Sequence, residues 1–390
     1  MEPKIYTSKD HHIRNNLIEK NALHVLQKLQ EAGHTAYLVG GGVRDLLLRK
    51  KPKDFDISTS ALPEEVKELF RNCILIGRRF RLAHVRFRHI IVEVATFRSG
   101  DTTDAELIVK DNIWGTPEED VLRRDFTING LFYDPTDHRI IDYVGGYDDL
   151  QKHLLRAIGD PDVRFRQDPV RMMRMLKFQA RFGFKTGKRE EAALKECLTD
   201  IQKSSPARVL EEMFRMLESG ASRPFFELLV KKKLLHELFP KLAEYFERDV
   251  GKKIYAYLEA VDSMNNNAKY RTLDRSILIC ALLFPILDEH IDEEMKVGEI
   301  MDLAHALIYE LLFLPFSHFP RRIRQAAHSI LHMQYRLTPL DKKRRPAKTR
   351  IIRQRIFPLA LTFLKLRALV EPDLFKVYEK WKWEKGNASI

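Results

Sequence analysis

Apolar residues recur along this chain in two different rhythms. Within residues 1–35, after a basic, polar arm, Ala22, Val25, Leu26 and Leu29 return at helical spacing. From Ala36 to about Asp149 the rhythm shortens. Residues 37–39, 74–76, 90–96 and 140–143 are short β-branched runs between turn signals, with one helical stretch at 63–71. Strands mixed with helices predict an α/β or α+β domain. From about Lys152 onward helical spacing takes over, which predicts an all-α body. The apolar run 277–287 is too short to span a bilayer and reads as a buried core helix. Ser204-Ser205-Pro206 marks a helix start, residues 220–224 a break and residues 265–269 a polar loop. No internal repeat of 20–50 residues is visible. Four segments follow: a basic arm and helix at 1–35, a mixed head at 36–150, a helical part at 151–265, and a second helical part at 266–390 with a basic tail.

Composition narrows the class. Of 390 residues, 44% are hydrophobic and 31% charged, the profile of a globular chain of about two to four domains. A net charge of +12 favours a polyanionic partner, nucleic acid or an anionic membrane surface. Cys73, Cys197 and Cys280 are widely spaced and form no CxxC pair. That argues against a disulfide framework or structural zinc and points to a reducing, cytoplasmic compartment. The start, Met1-Glu2-Pro3-Lys4, has no leader pattern, and no stretch of about 18 apolar residues occurs, so no membrane association is expected.

The stretch from Tyr37 to Ser58 carries the chemistry. A short strand, Tyr37-Leu38-Val39, runs into Gly40-Gly41-Gly42 and then a helical Val43-Arg44-Asp45-Leu46-Leu47-Leu48. Glycines between strand and helix let the backbone approach a ligand, the helix start offers free N–H groups to an anion, and Arg44 adds a positive charge. A plain tight turn has the same pattern. Further on, Lys53-Asp54-Phe55-Asp56-Ile57 places two acids at strand spacing, so Asp54 and Asp56 are expected to share a face. Adjacent carboxylates repel unless a divalent cation neutralises them, and Mg²⁺ favours such oxygen ligands. A solvated Asp pair at a strand end reads the same way. Glu93 is the lone acid in the apolar run Ile90-Ile91-Val92-Glu93-Val94-Ala95-Thr96-Phe97, and it completes a metal site if that strand neighbours the Asp pair.

Four blocks in order resemble the nucleotidyltransferase head of the family that contains bacterial poly(A) polymerases and class II tRNA nucleotidyltransferases, the CCA-adding enzymes. They are Leu38-Val39-Gly40-Gly41-Gly42-Val43-Arg44-Asp45 with Asp54-Phe55-Asp56; Arg123-Arg124-Asp125-Phe126-Thr127-Ile128-Asn129-Gly130; Asp142-Tyr143-Val144-Gly145-Gly146-Tyr147-Asp148-Asp149-Leu150; and Arg164-Phe165-Arg166-Gln167-Asp168-Pro169-Val170-Arg171-Met172-Met173-Arg174. Within that family, Gly77-Arg78-Arg79-Phe80-Arg81-Leu82-Ala83-His84-Val85 resembles the segment that marks poly(A) polymerases. Ser205-Pro206-Ala207-Arg208, Phe226-Glu227-Leu228-Leu229 and Leu238-Phe239-Pro240 resemble their helical body. Gln167 stands where the family usually has Glu, Gly130 where it has Ala or Ser, and Lys177 where Arg is common.

The resemblance implies attack of an RNA 3′-hydroxyl on the α-phosphate of ATP, served by two Mg²⁺ ions, or Mn²⁺ in their place, on Asp54 and Asp56 with Glu93 in support. Gly41, Gly42 and Arg44 would hold the triphosphate. Arg123 and Arg124 would supply cations near phosphate, and Asp125 and Asn129 would define the ribose or support the metal site. Asp168, Arg171, Arg174 and Lys177 recur at helical spacing, and the resemblance implies that this face reads the incoming base. Lys342, Lys343, Arg344, Arg345, Arg350 and Arg353 would neutralise RNA phosphates, unless that basic run is merely solvated. Phe80 and Arg81 would stack on a base or pack in the core. Two other readings share these residues: a CCA-adding enzyme, and an RNA-binding protein with a dead head.

Overall fold

The structure, a computed structural model, describes residues 2–77, 82–99, 113–267, 272–292, 294–316, 319–340 and 348–387. Contacts divide the chain into two compact units, Met1–Arg171 with Gly183–Cys197, and Met172–Phe182 with Leu198–Ile390.

The first unit is built on one eight-stranded sheet in the order β1-β10-β9-β2-β3-β6-β5-β4. Its strands are β1 (Lys4–Tyr6), β2 (Ala36–Val39), β3 (Asp56–Thr59), β4 (Cys73–Ile76), β5 (Leu82–Arg86), β6 (Ile91–Thr96), β9 (Leu131–Asp134) and β10 (Arg139–Asp142). A separate ribbon pairs β7 (Arg98–Ser99) with β8 (Ile113–Trp114). β3 and β6 run parallel, and the other neighbours in the large sheet are antiparallel. The segment 1–35, expected to precede the head, is part of it. Lys4 pairs with Asp142 and Tyr6 with Ile140, and Tyr6 stacks on Tyr147 at 3.9 Å between ring centres. Three residues were too short a run to read as a strand, and their partner strand supplies what the local pattern lacks.

Helices take their places for visible reasons. In α1 (Lys20–Glu31) the Glu19 carboxylate accepts from the N–H groups of Asn21 and Ala22, and Ala22, Val25, Leu26 and Leu29 are buried. Around α2 (Gly41–Leu47) and α3 (Pro63–Leu69) the sheet continues; Pro63 opens α3 without losing a needed donor. In α4 (Pro117–Leu122) Thr116 Oγ1 accepts from Glu119 N at 3.2 Å and Glu119 answers by accepting from Thr116 N at 2.7 Å. Val39, Phe97, Val121, Phe132, Ile141 and Ile158 form a buried cluster beside β2, β9 and β10, each worth roughly 1.5–3 kcal/mol of burial. α5 (Gly146–Gln151) and α6 (Pro161–Gln167) follow.

The head was expected to end near residue 150. It continues because β11 (Leu154–Leu155) pairs in parallel with β12 (Lys185–Thr186), and the buried Glu190 of α8 (Lys188–Glu196) accepts from Ala157 N at 3.1 Å. The chain therefore leaves this unit along α7 (Val170–Phe182) and returns to it for Gly183–Cys197.

The second unit is helical: α9 (Pro206–Leu217), α10 (Ser222–Lys231), α11 (Leu234–Leu238), α12 (Pro240–Glu247), α13 (Val250–Asn266), α14 (Arg275–Glu289), α15 (Val297–Ile308), α16 (Arg321–Leu337), α17 (Lys348–Ile352), α18 (Phe357–Val370) and α19 (Leu374–Asn387). α14 contains the run 277–287, and every residue from Ser276 to Leu287 is buried, as a helix apolar on all sides demands. α9 starts at Pro206 as the sequence predicts, but the Ser205 side chain makes no capping bond. Among the described residues no helix is long and apolar enough to cross a membrane.

Candidate active site

One transverse row of the large sheet contains two of the predicted acids, Asp56 and Glu93. The register pairs Ile141 with Phe132, Phe132 with Val39, Val39 with Asp56, Asp56 with Glu93, and Glu93 with His84. Residues paired directly across strands share a face. An apolar half of the row thus supports an acidic half. Glu93 is the direct neighbour of Asp56 on a parallel strand, and its carboxylate lies 3.5 Å from His84 Nε2. His84 belongs to the Gly77–Val85 segment, whose residues 78–81, including Phe80 and Arg81, lie outside the described residues.

Asp54 does not lie in the strand. β3 begins at Asp56, and Asp54 sits exposed in the irregular segment before it. Its carbonyl oxygen faces the first turn of α2, where a Cβ on Gly42 would stand 3.4 Å from it. Gly40 has φ +64°, and a Cβ there would meet Arg124 Nη1 at 3.2 Å. Among the described residues no group of three or more His, Cys, Asp or Glu is gathered as a ready-made metal cage.

Arg44, expected to face a triphosphate, is buried. Its Nε and Nη2 donate to Asp45 Oδ1 at 2.9 and 2.7 Å, and Nη1 donates to Asn129 Oδ1 at 2.6 Å. Asn129 Nδ2 donates in turn to Asp125 Oδ1 at 3.0 Å, which also accepts from Phe126 N. Arg124 donates to Asp120 Oδ2 at 2.8 Å and to Ser58 Oγ at 3.1 Å, and lies 5.3 Å from the centre of the Phe132 ring. Arg124 thereby faces Gly40, while Arg44 braces the same turn from within.

Arg164 was quoted in the fourth block without a role, and the structure supplies one. It is almost wholly buried, and its Nη2 donates to the carbonyls of both Arg123 and Arg124 at 2.8 Å. Nη1 donates to Gln167 Oε1 at 2.9 Å. Burial first, then Arg171, pulls its proton affinity below arginine's ordinary value. Arg171 Nη2 donates to the Arg123 carbonyl at 3.1 Å, and its Nε stands 3.9 Å from Asp168. Asp168 and Arg171 are thus tied to the Arg123-Arg124 turn. Arg174 and Lys177 belong to the second unit, where Glu212 lies 3.9 Å from Arg174 and 2.8 Å from Lys177.

The third block is an internal brace. Asp142 accepts from the backbone N–H groups of Val144, Gly146 and Tyr147, which seats α5. Gly146 must be glycine, because a Cβ would stand 2.0 Å from the Thr127 carbonyl oxygen. Thr127 Oγ1 donates to the buried Asp149, which also accepts from Arg156 Nε at 2.7 Å. Of the basic tail, Lys342, Lys343, Arg344 and Arg345 lie outside the described residues, whereas Arg350 and Arg353 are exposed on and just after α17.

Comparison with known proteins gives a consistent picture. Residues 36–156 match the family model described as Poly A polymerase head domain, and residues 183–246 match the one described as probable RNA and SrmB- binding site of polymerase A. Poly(A) polymerase I of Salmonella typhi is 36% identical, covering 97% of this chain and 84% of that protein. A CCA-adding enzyme of Lactobacillus helveticus is 36% identical over 73% of this chain and 78% of its own. Among solved structures, the Bacillus stearothermophilus CCA-adding enzyme in complex with CTP superposes with a TM-score of 0.65 at 25% identity, covering 94% of this chain and 82% of that one.

Proposed function

The chain belongs to the nucleotidyltransferase family of bacterial poly(A) polymerases and CCA-adding enzymes, and from that premise we propose that it adds adenylate residues from ATP to RNA 3′ ends without a template. The observation that carries the choice within the family is the 36% identity to poly(A) polymerase I along nearly the whole chain. The +12 charge and the match to an RNA-binding family model support RNA as acceptor.

Asp54, Asp56 and Glu93 are three oxygen donors of the kind Mg²⁺ takes, and the in-register pairing of Asp56 with Glu93 fits that use. Asp54 and Asp56 would hold the ions, with Glu93 beside them. When bound, such ions lower the pKa of an attacking hydroxyl and stabilise charge on a leaving phosphate. The rest falls to the chain's own groups. Gly41 and Gly42, at the start of α2, would hold the triphosphate, and Arg124, beside Gly40, would supply positive charge to it. Arg44, Asn129, Asp125 and Arg164 hold that turn in place, so that its charge is fixed before substrate arrives. Asp168 and Arg171 offer an acceptor and donors to a base edge, with Arg174 and Lys177 further along α7. Gln167 is neutral, so its Oε1 accepts from Arg164 without supplying a counter-charge at that position.

As a division of roles, distinct from the two compact units, we keep the four segments: arm at 1–35, catalytic head at 36–150, a base- and RNA-binding part at 151–265, and a tail-bearing part at 266–390. A nucleotide panel tests the reading. Long tails made from ATP on generic RNA support it. A single round of C, C and A on truncated tRNA overturns it in favour of CCA addition, and no incorporation in any arm favours a binding protein.

A further inference from the structure

The turn 125–129 has two sides. Asp125 and Asn129 face the Arg44 brace, while Thr127 borders a cavity of about 660 Å³ that none of the acids or glycines of the reaction row lines. Its wall is apolar, formed by Leu122, Tyr143, Val144 and Ile158. Arg156, Lys188 and Arg189 line it with positive charge, and the buried Glu190 lines it too, its Oε1 accepting from Ala157 N. Tyr143 is held by an edge contact with Phe132, ring centres 6.2 Å apart, so one aromatic side is fixed in place. Arg156 is oriented by Asp149 through Nε alone, which leaves its terminal nitrogens without a hydrogen bond among the described residues. Lys188 is exposed and makes no ion pair with a described residue. Arg189 pairs with Asp160 at 3.2 Å.

An apolar wall beside the free terminal nitrogens of Arg156 and the exposed Lys188 matches a flat apolar body joined to an anion. A cavity of roughly 300–1,000 Å³ holds a small ligand or one residue of a polymer, not a helix. Aromatic faces combined with basic grooves are how proteins take single-stranded nucleic acid. We propose that this cavity is a second nucleotide site, outside the reaction row, that takes one base against Tyr143 and the aliphatic wall and the neighbouring phosphate at Arg156 and Lys188. Two sources share that chemistry: a residue of the bound RNA and a free adenine nucleotide. The site deepens the RNA reading, yet it is tested without catalysis.

The experiment uses the full chain without ATP. Labelled oligo(A) binding is measured against salt for the wild type, for Lys188→Glu, and for Lys195→Glu, a charge-matched control at the far end of the same helix. In parallel, oligo(A) carrying one 8-azidoadenosine and free 8-azido-AMP are photocrosslinked and the adducts mapped. Lys188→Glu is expected to weaken oligo(A) binding about five-fold or more and to make the salt slope shallower by about 0.7. Adducts are expected in the peptides holding Tyr143, Ile158 or Lys188. Adducts there from the oligonucleotide identify an RNA residue as occupant; adducts there from 8-azido-AMP that excess oligo(A) leaves in place identify a free nucleotide. Either upholds the site. Unchanged oligo(A) affinity without an 8-azido-AMP adduct in those peptides, an equal loss in Lys195→Glu, or adducts only elsewhere overturns it. A chain that binds here but adds no adenylate sinks the polymerase reading and leaves this site standing.

Discussion

Arg44 Nη1 donates to Asn129 Oδ1 at 2.6 Å, joining two positions 85 residues apart. Both residues are buried, and the same guanidinium grips Asp45 through two further nitrogens. A lysine donates from a single nitrogen and lacks the planar fork, so it cannot reproduce the three bonds that Nε, Nη1 and Nη2 make here. Arg44→Lys should cost about 3 kcal/mol of folding stability, the scale for breaking a buried charged contact, and raise the KM for ATP. Urea denaturation and steady-state adenylation check this. A variant with wild-type stability and KM would mean that Arg44 is no brace.

Asp54→Ala and Asp56→Ala should each lower nucleotide addition by about a thousand-fold or more while leaving RNA binding intact. Glu93→Gln, which alters the neighbour of Asp56, should cost about 10–100-fold. Primer extension and filter binding on the same preparations separate the two effects. Near-normal extension by either Asp variant would remove the acids from the reaction.

Arg350 and Arg353 are exposed near one another in sequence and make no ion pair with a described residue. If they touch RNA phosphates, replacing both with Ala should reduce the slope of log K against log salt by about 1.4, near 0.7 for each contact. An identical slope would place RNA elsewhere.

Glu211 accepts two hydrogen bonds from Arg275, at 2.8 and 3.0 Å. Those bonds hold its carboxyl below its ordinary value of 4.5. A lowered acid contributes stability that is complete above pH 4.5 and is lost as pH falls through its folded value. Because the side chain is partly exposed, the contribution is discounted to about 1 kcal/mol or less. Between pH 5 and pH 3, Glu211→Gln should lose less stability than the wild type. Parallel acid sensitivity in the two would exclude the pair as a source.

Much of the head was legible in the chain. The runs at 37–39, 74–76, 90–96 and 140–143 lie on β2, β4, β6 and β10, because alternation and β-branching mark half-buried strands. Glu93 stands out in the sequence as the lone acid of an apolar run, and the register puts it opposite Asp56. What escaped was set by distant contacts. β1 is three residues whose partner lies far along the chain. Asp54 lies just before β3, next to the first turn of α2, a placement that the two-residue spacing does not show. Arg164 looks like any charged helix residue until its guanidinium is found under two carbonyls. Arg44 has the composition of an anion ligand and the location of a structural clamp, and only burial separates these.

The pairing of Lys4 with Asp142 gives the sheet an order of assembly. The first strand to be made has to wait until the tenth emerges, so during synthesis Tyr6 travels without Tyr147 and the outer rim of β10 is the last seam to close. Long-range closure of that kind is slow relative to local hairpins. Until it happens, the row of unpaired amides on β10 is open to any other extended chain, which makes a handful of N-terminal residues the guard against misassembly of the whole head.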